Sequence, residues 1–257
     1  MHAASRRVSW LSQSLIPAVC LCALSGCVVP FQPGTVVEDA KLKQELDDAS
    51  RLYPESFKVL HRAFLTKSIV QTEFSGSVVA KPPGTFRSMA VNNLGATCFD
   101  VVMVDGETPR ILKIMPGLKR AYISEGMVES FRLMYLWRPG PESVDCRSLT
   151  GRLALLDQKG TEAYYMSFRP AEGAEELVPD QLISAREGSC LRRVTLSDYR
   201  EQPGWRRKFP HRLELEDFVF GYRMVITVLE MKAQPLPEEL LRPAAVETAR
   251  KSWFSGG

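Results

Sequence analysis

Histidine is scarce in this chain, and the sequence motifs that accompany common enzymatic chemistry are missing. Only three of the 257 residues are histidine. The chain contains no Gly-x-Ser-x-Gly nucleophile elbow, no His-Glu-x-x-His zinc motif and no glycine-rich phosphate-binding loop. The spacing of its cysteines and histidines matches no metal site. We therefore expect a protein without catalytic residues, a metal ion or a cofactor.

The N-terminal apolar run is too short to cross a bilayer. The segment from Leu15 to Leu24 has ten residues, whereas a membrane-spanning helix needs about 20. Arg6 and Arg7 precede it, and the lipobox Leu24-Ser25-Gly26-Cys27 ends it. This pattern is typical of a bacterial lipoprotein export signal. We predict that residues 1–26 are removed and that the thiol of Cys27 carries lipid. The alternatives are a signal peptide with an incidental cysteine, or a weak membrane anchor.

The chain also lacks a charge excess of either sign. Its 33 Lys and Arg residues nearly balance its 30 Asp and Glu residues. Loss of Arg6 and Arg7 with the signal leaves 31 basic against 30 acidic residues. A nearly neutral domain has no electrostatic footprint for nucleic acid. The composition is that of a globular protein, without low-complexity tracts or internal repeats.

Cysteine is too scarce for a disulfide framework. Three of the six cysteines lie within the first 27 residues. The other three, Cys98, Cys146 and Cys190, would lie in an oxidising compartment and allow one bridge at most. Cys98 lies in an apolar strand pattern that is typical of a buried thiol. Cys146 and Cys190 lie in polar segments that resemble loops, so we predict a disulfide between them.

The mature chain divides into a tether, one large domain and a tail. Residues 27–34 are broken by proline and form the predicted tether, residues 35–232 the domain, and residues 233–257 the tail. Thr35-Val36-Val37-Glu38 has the form of a capping box. Leucines at helical spacing follow it, which predicts a helix that ends at Pro54.

Alternating apolar and polar residues then predict a series of antiparallel strands. Turn sequences such as Lys81-Pro82-Pro83-Gly84 and Asp105-Gly106 separate them. Residues 124–137 interrupt the series with a wide apolar face at helical spacing. A sheet of roughly ten strands tends to curl, and its concave side can receive the apolar faces of the helices. The predicted fold class is mainly β (α+β), a curved antiparallel sheet or half-open β-barrel with helices covering the concave face.

Three segments of the first strands resemble the LolA/LolB family of periplasmic lipoprotein carriers and receptors, in particular its uncharacterised lipoprotein branch. They are the run from Phe74 to Val78, the pair Phe86-Arg87, and the run from Asn93 to Asp100. The segment from Ile111 to Pro116, with the helix after it, is similar as well. The resemblance implies a curved antiparallel sheet with helices in its mouth, which binds acyl chains or a similar lipid in its apolar interior.

The phase of the strands and of the second helix predicts which side chains line that interior. The candidates are Phe74, Val78, Phe86, Phe99, Phe131 and Met134. A register error of one residue would turn each strand's set outward. We expect His61 and His211 to be structural. We expect Asp100 to face outward from its strand, the alternative being a buried carboxylate that needs a partner.

A cluster of basic and aromatic residues follows the turn near residue 204. It comprises Trp205, Arg206, Arg207 and Lys208. Tryptophan favours the membrane interface, and each nearby cation adds about 1 kcal/mol of attraction to anionic lipid. We predict that this cluster contacts anionic head groups. The alternative is a charged hairpin loop beside the sheet.

Together these patterns predict a non-enzymatic, lipid-anchored envelope protein that binds an acyl chain, a lipid or a lipoprotein in an apolar half-barrel. The alternative is an envelope assembly or scaffold protein that uses the same fold as an interaction surface. The expected partners are the membrane, through the N-terminal lipid, a lipid or lipoprotein ligand, and an envelope protein.

Val28 and Val29 stand where an aspartate would hold a lipoprotein at the inner membrane of enteric bacteria. We therefore predict that the protein resides in the outer membrane and faces the periplasm. Density-gradient fractionation of cell envelopes should recover it with outer-membrane markers. Recovery with inner-membrane markers would contradict the prediction.

Overall fold

The computed structural model of the protein describes residues 29–139, 144–149, 152–172, 176–235 and 237. Within these residues, thirteen strands form one antiparallel sheet. The strands are β1 (Thr35–Val36), β2 (Phe57–Lys67), β3 (Val70–Lys81), β4 (Thr85–Asn92), β5 (Thr97–Met103), β6 (Arg110–Ile114), β7 (Val144–Leu149), β8 (Arg152–Lys159), β9 (Glu162–Pro170), β10 (Leu177–Arg186), β11 (Ser189–Gln202), β12 (Trp205–Asp217) and β13 (Tyr222–Ala233). Their order in the sheet is β1-β7-β8-β9-β10-β11-β12-β13-β2-β3-β4-β5-β6.

Two helical regions accompany the sheet. Helix α1 spans Ala40–Ser50. The second begins with π-helical turns over Tyr122–Met127, continues as an α-helix over Val128–Phe131 and ends with π-helical turns over Arg132–Leu136. We call the continuous helix over 122–136 α2. It confirms the helix predicted over residues 124–137, and its π-helical turns are of a kind that often marks functional sites.

The sheet is curved and open. In the described ranges its edge strands, β1 and β6, do not pair with each other. Both helices pack on the concave side, where Leu46 of α1 and Phe131 of α2 are fully buried in the same core as Phe57 of β2. The structure thus confirms the mainly β class and the half-open barrel with helices covering its concave face.

The predicted tether is partly docked on the sheet. The amide of Phe31 donates to the Gly188 carbonyl at 2.8 Å, and the amide of Cys190 donates to the Val29 carbonyl at 2.8 Å. The ring of Phe31 meets that of Tyr165 edge-on, with centroids 5.6 Å apart. Val29 and Phe31 thereby cover a second, smaller core on the convex side. Within the predicted tether over residues 27–34, residues 29–31 therefore pair with the turn between β10 and β11.

The first helix begins later than predicted. Thr35 and Val36 form β1 and pair with β7, so Thr35 does not cap the helix. Asp39 does, because its carboxylate accepts from the Leu42 amide at 3.0 Å. At the other end of the chain, β13 runs to Ala233. Most of the predicted tail over residues 233–257 lies outside the described residues, as do the predicted signal 1–26 and Cys27.

The predicted disulfide between Cys146 and Cys190 is wrong. Both residues, like Cys98, are buried free thiols. Cys146 lies on β7 and Cys190 on β11, with three strands between them. Four strand spacings place them about 19 Å apart along the sheet, whereas a disulfide needs Cα atoms within about 7 Å. Both segments lie in strands and not in loops, and the two thiols face different cores.

Asp100 follows Phe99 on β5 and so points away from the concave side, as expected. It is nevertheless only 3% exposed. Its carboxylate accepts from Nε and Nη2 of Arg87 at 2.9 and 2.7 Å. Asp100 therefore faces outward and is also the buried carboxylate of the alternative, because the neighbouring strand β4 supplies a buried arginine that satisfies the charge.

His61 is buried on β2, directly over Gly76 of β3. A Cβ atom at position 76 would lie 2.4 Å from His61 Nε2, so the histidine ring occupies the space that only glycine leaves free. The Nδ1 atom of His61 has no hydrogen-bond partner among the described residues. Burial lowers the pKa of His61 to about 4. The ring is therefore neutral and structural at neutral pH.

His61 should make stability depend on pH. An unfolded histidine has a pKa of about 6.5, so the unfolded state binds the proton more tightly than the folded state does. The free energy of unfolding should fall by up to about 3 kcal/mol through this residue as the pH drops from about 6.5 to about 4. Urea unfolding measures the free energy of unfolding of the unaltered protein and of His61→Gln. The difference between these two free energies should shrink as the pH falls. A difference that is independent of pH would contradict this.

Candidate functional site

An apolar cavity of about 470 Å³ lies between the first turns of α2 and the ends of β2, β3 and β5. Its volume is in the range of small-ligand sites, about 300–1,000 Å³. We call its apolar lining the apolar wall: Leu65, Val70, Phe74, Cys98, Phe99, Met115, Leu118, Ile123 and Met127. The arrangement offers contact to an apolar ligand body and few polar atoms to orient it.

Strand alternation places part of this wall. Val70, Thr72 and Phe74 are two residues apart on β3 and share its concave face, and all three line the cavity. Thr72 pairs with Leu65 of β2, which lies on the same face and also lines the cavity. The turn between the two strands ends in Ile69, whose side chain is 97% exposed. The cavity therefore opens beside an exposed apolar turn.

Lys67 and Tyr122 stand at the edge of the cavity. The Lys67 ammonium donates to the Tyr122 hydroxyl at 2.9 Å and lies 4.0 Å from the centroid of the tyrosine ring. The hydrogen bond from Lys67, followed by its positive charge, lowers the pKa of Tyr122. A cation beside an apolar wall suits a ligand with an apolar body and an anionic end, such as a fatty acid.

A buried carboxylate, Asp217, fastens α2 to the sheet. It is 2% exposed. Its Oδ2 atom accepts from Nε of Arg192 at 2.9 Å and from the Ser130 hydroxyl at 3.4 Å. Its Oδ1 atom accepts from the amides of Val219 and Phe220 at 3.0 and 2.9 Å. Both carboxylate oxygens are thus satisfied, as a buried charge requires.

The partners of Asp217 extend the connection. The Ser130 hydroxyl shares a hydrogen bond of 2.9 Å with the Tyr222 hydroxyl. Nη2 of Arg192 donates to the Glu125 carbonyl of α2 at 2.9 Å. We call Asp217, Arg192, Ser130 and Tyr222 the Asp217 anchor. It joins α2 to β11, β12 and β13, and it therefore sets the position of the helix that roofs the apolar cavity.

The structure divides the six predicted ligand-binding residues into two groups. All six are buried on the concave side. Phe74 and Phe99 line the cavity, with ring centroids 6.3 Å apart. The other four fill the core beneath the rest of α2: Val78, Phe86, Phe131 and Met134. Phe131 makes that packing continuous, because its ring contacts those of Phe86 and Phe99 at centroid distances of 6.2 and 6.4 Å.

Sequence reasoning missed several residues of the site. Lys67 and Tyr122 lie at the ends of their elements, and Met115 and Leu118 lie in the segment between β6 and α2. Periodicity fixes side-chain direction inside strands and helices but not in such connections. The segment between β6 and α2 is short, so Met115 and Leu118 must lie near the start of the helix. This was the sequence feature that could have identified them.

The basic and aromatic cluster begins strand β12 and is not a free loop. The Trp205 indole is partly buried against the main core, and its Nε1 donates to the Leu52 carbonyl at 3.2 Å. Arg206, Arg207 and Lys208 border a polar cavity of about 280 Å³ with Glu176 and other polar residues. Head-group contact by this cluster stays a prediction, and only its three cations are available for it.

Metal-binding clusters and membrane-spanning helices were two further possibilities for a functional region. In the part of the chain that the structure describes, no three His, Cys, Asp or Glu side chains come together as a metal site. Over the same residues, no helix has the length and apolar character to cross a bilayer.

The Asp217 anchor should be worth much more than an exposed ion pair. Asp217→Ala leaves the buried Arg192 without its carboxylate and should lower the free energy of unfolding by about 3–5 kcal/mol. Glu45→Ala is the matched control, because Glu45 forms an exposed pair with Lys41 and its loss should change little. Urea unfolding at neutral pH measures the free energy of unfolding of both variants. Equal losses would contradict the structural role of the Asp217 anchor.

Comparison with known proteins supports the fold. No protein-family model matches the sequence, and no curated protein matches it. A LolA superfamily protein from Nitrosomonas europaea is 13% identical with a TM-score of 0.43, over 78% of this chain and 96% of that chain. A DUF1329 family protein from Desulfovibrio piger is 10% identical with a TM-score of 0.51, over 81% of this chain and 99% of that one.

A third solved structure is an outer membrane lipoprotein-sorting protein domain, described as putative in its name, from Vibrio parahaemolyticus. It is 9% identical with a TM-score of 0.45, over 80% of this chain and 97% of that chain. At such identities the likeness is one of fold alone. The chain shares its fold with the DUF1329 family protein, for which the TM-score is 0.51.

Proposed function

We propose that this protein is a lipid-anchored envelope protein that binds an acyl chain, or a lipid or lipoprotein carrying one, in its apolar cavity. The observation that carries the proposal is an apolar cavity of about 470 Å³ with a lysine ammonium, Lys67, at its edge. Burial of an acyl chain there would remove apolar surface from water on both partners. The sequence resemblance to the LolA/LolB family supports the same reading.

Exposed apolar turns lie at the end of the strands where this cavity opens. Ile69 lies in the turn between β2 and β3, Leu94 between β4 and β5, and Val219 between β12 and β13. Their exposed fractions are 97%, 92% and 55%. Consecutive turns of a meander lie alternately at the two ends of its strands. These three turns therefore lie at the same end. Clustered exposed apolar side chains mark contact surfaces, and we propose that this end of the sheet contacts the membrane.

The N-terminal segment indicates a second part of the surface that would lie near the membrane. Residues 29–31 pair with the turn between β10 and β11. A lipid on Cys27 would begin two residues before Val29, at most about 7 Å away. The anchor would thus hold this turn close to the bilayer, on the periplasmic face of the outer membrane in our proposal.

The cluster that begins with Trp205 lies at the opposite end of β12 from the exposed Val219 turn. The 13 residues of that strand span about 43 Å. A flat membrane that contacts the Val219 end of β12 does not also reach the Trp205 end. In the proposed orientation the cluster therefore faces the periplasm, where its cations are free to meet a partner instead of head groups.

We also propose that the protein acts by binding and not by catalysis. Ser130 and Asp217 are the nearest approach to a nucleophile beside a carboxylate, and both are buried beneath α2. Their hydrogen-bond partners are Arg192, Tyr222 and backbone amides. This set contains no general base for the serine, so the arrangement is structural.

A scaffold role is the second candidate, and one observation favours it. Four of the six predicted lining residues, including Phe131 and Met134, are buried in the core and do not border the apolar cavity. A scaffold would use the outer surface and leave the remaining cavity empty. Mass spectrometry of protein purified without Cys27 distinguishes the two roles, because only the ligand-binding role predicts co-purified acyl lipid.

Filling the cavity should abolish acyl binding. Thr72 lines the cavity, so Thr72→Trp places an indole in it. Gln71→Trp on the opposite face of β3 is the matched control. We expect Thr72→Trp to weaken binding of a fluorescent fatty acid at least about tenfold, or 1.4 kcal/mol, and Gln71→Trp to leave it unchanged. Equal binding by all three proteins, or none by the unaltered protein, would refute the cavity as the site.

A further inference from the structure

The apolar cavity carries a single charge. Among the described residues that line it, Lys67 is the one charged side chain, and over the same part of the chain it forms no ion pair. A second cavity, of about 530 Å³ along the other half of α2, differs in this respect. Its four arginines are balanced by three carboxylates of its own lining and by Asp217, which pairs with Arg192. An unbalanced cation thus belongs to the apolar cavity and not to the polar one.

Strand phase directs this cation to the concave side of the sheet. Leu65 and Lys67 are two residues apart on β2 and therefore share a face, and both line the cavity. Lys67 is paired with Val70 of β3, which lines the cavity as well. A lysine on the convex face would point into water, whereas this one lies beside apolar side chains. The ammonium is therefore part of the cavity.

Tyr122 holds the ammonium at the opening. Nζ of Lys67 donates to the Tyr122 hydroxyl at 2.9 Å, and the tyrosine ring packs edge-on against Phe220 with centroids 5.4 Å apart. Both Lys67 and Tyr122 are half-buried, so a ligand can reach them. An ammonium has three N–H donors, of which Tyr122 accepts one. Two lysine donors remain for a ligand, and the tyrosine hydroxyl can donate its own proton as well.

The charges around this opening are positive. The hydrogen bond from Lys67, followed by its charge, lowers the pKa of Tyr122, and the charge of Lys119 acts in the same direction. Lys119 is exposed, and in the described ranges it pairs with no carboxylate. Glu125 lies one turn further along α2, where its side chain is exposed and water screens its charge. An anion at the Tyr122 hydroxyl is therefore attracted by two lysines.

A ligand that fits both the wall and the opening has one apolar chain and one anionic end. The chain can lie against the apolar wall while the end stays at the exposed turn after Lys67. A carboxylate carries one negative charge on two acceptor oxygens, which suits one ammonium and one phenol as donors. The lipid end of a lipoprotein is different, because neutral ester and amide bonds join its chains to cysteine. It offers Lys67 no anion.

We propose that the apolar cavity selects fatty acids, which are single acyl chains with a free carboxylate, and that Lys67 and Tyr122 hold this carboxylate at the opening. The inference rests on the proposed function, because it concerns the same cavity and names the class of ligand that the cavity takes. It adds that the head group, and not only the chain, decides what binds.

Two ligands with the same chain and different head groups test this selectivity. Isothermal titration calorimetry of the full chain at neutral pH compares dodecanoate with dodecanol. We expect dodecanoate to bind at least about tenfold more tightly. Equal binding of the two would overturn the inference and leave acyl binding in place. Failure of both to bind would overturn the proposed function together with the inference.

Variants of the two head-group residues locate the effect. Lys67→Met should weaken dodecanoate binding at least about tenfold and leave dodecanol binding unchanged, which also shows that the variant is folded. Lys113→Met is the matched control, because Lys113 is exposed on β6 and pairs with the outward-facing Asp100. It should change neither affinity. Tyr122→Phe should weaken dodecanoate binding about threefold. Equal effects of Lys67→Met and Lys113→Met would overturn the inference.

The carboxyl pKa of the bound acid provides a readout that packing alone does not change. Dodecanoic acid labelled with ¹³C at the carboxyl carbon is bound to the protein, and its chemical shift is followed against pH. Because Lys67 favours the charged form, the pKa of the bound acid should be lower in the unaltered protein than in Lys67→Met. Equal pKa values would overturn the contact with Lys67. Thr72→Trp should abolish the bound signal, and a signal that persists would overturn the location in this cavity.

Discussion

The buried carboxylate of Asp217 joins the helix α2 to three strands of the sheet. A charge in the interior is tolerated only when every lone pair finds a donor, and here an arginine, a serine and two amides supply them. Two members of the Asp217 anchor also border the cavities: Tyr222 lines the apolar one and Arg192 the polar one. The position of α2 over the sheet, and hence the shape of both cavities, depends on this interaction.

The interior is consequently divided into three parts along α2. At the middle of the helix, Phe131 and its neighbours form a buried core within the half-barrel. At the first turns the sheet and helix separate and leave an apolar cavity with Lys67 at its edge. Along the other half they leave a polar cavity with Arg138 in its lining. One curved sheet thus contains two cavities of opposite character.

Patterns of period two and period 3.6 predicted much of this architecture. The class, the curvature, the helix over residues 124–137 and the concave orientation of Phe74 and Phe99 all followed from local alternation. Interactions between segments distant in sequence did not. Arg87 beside Asp100, the docking of Phe31, and the three strands between Cys146 and Cys190 depend on pairings that one-dimensional patterns do not contain. For the same reason Cys146 was placed in a loop when it lies in β7.

The sequence alone predicts an export signal with Cys27 as the lipid acceptor, and it determined the side of each strand that faces the helices, because each depends on residues close together in the chain. Tertiary structure alone decided which concave side chains pack and which line a cavity. Phe74 and Val78 lie on the same face of β3, yet one borders an opening and the other fills the core. The physical reason is that a void depends on the distance between helix and sheet, which the Asp217 anchor sets through contacts between Ser130, Arg192 and Tyr222.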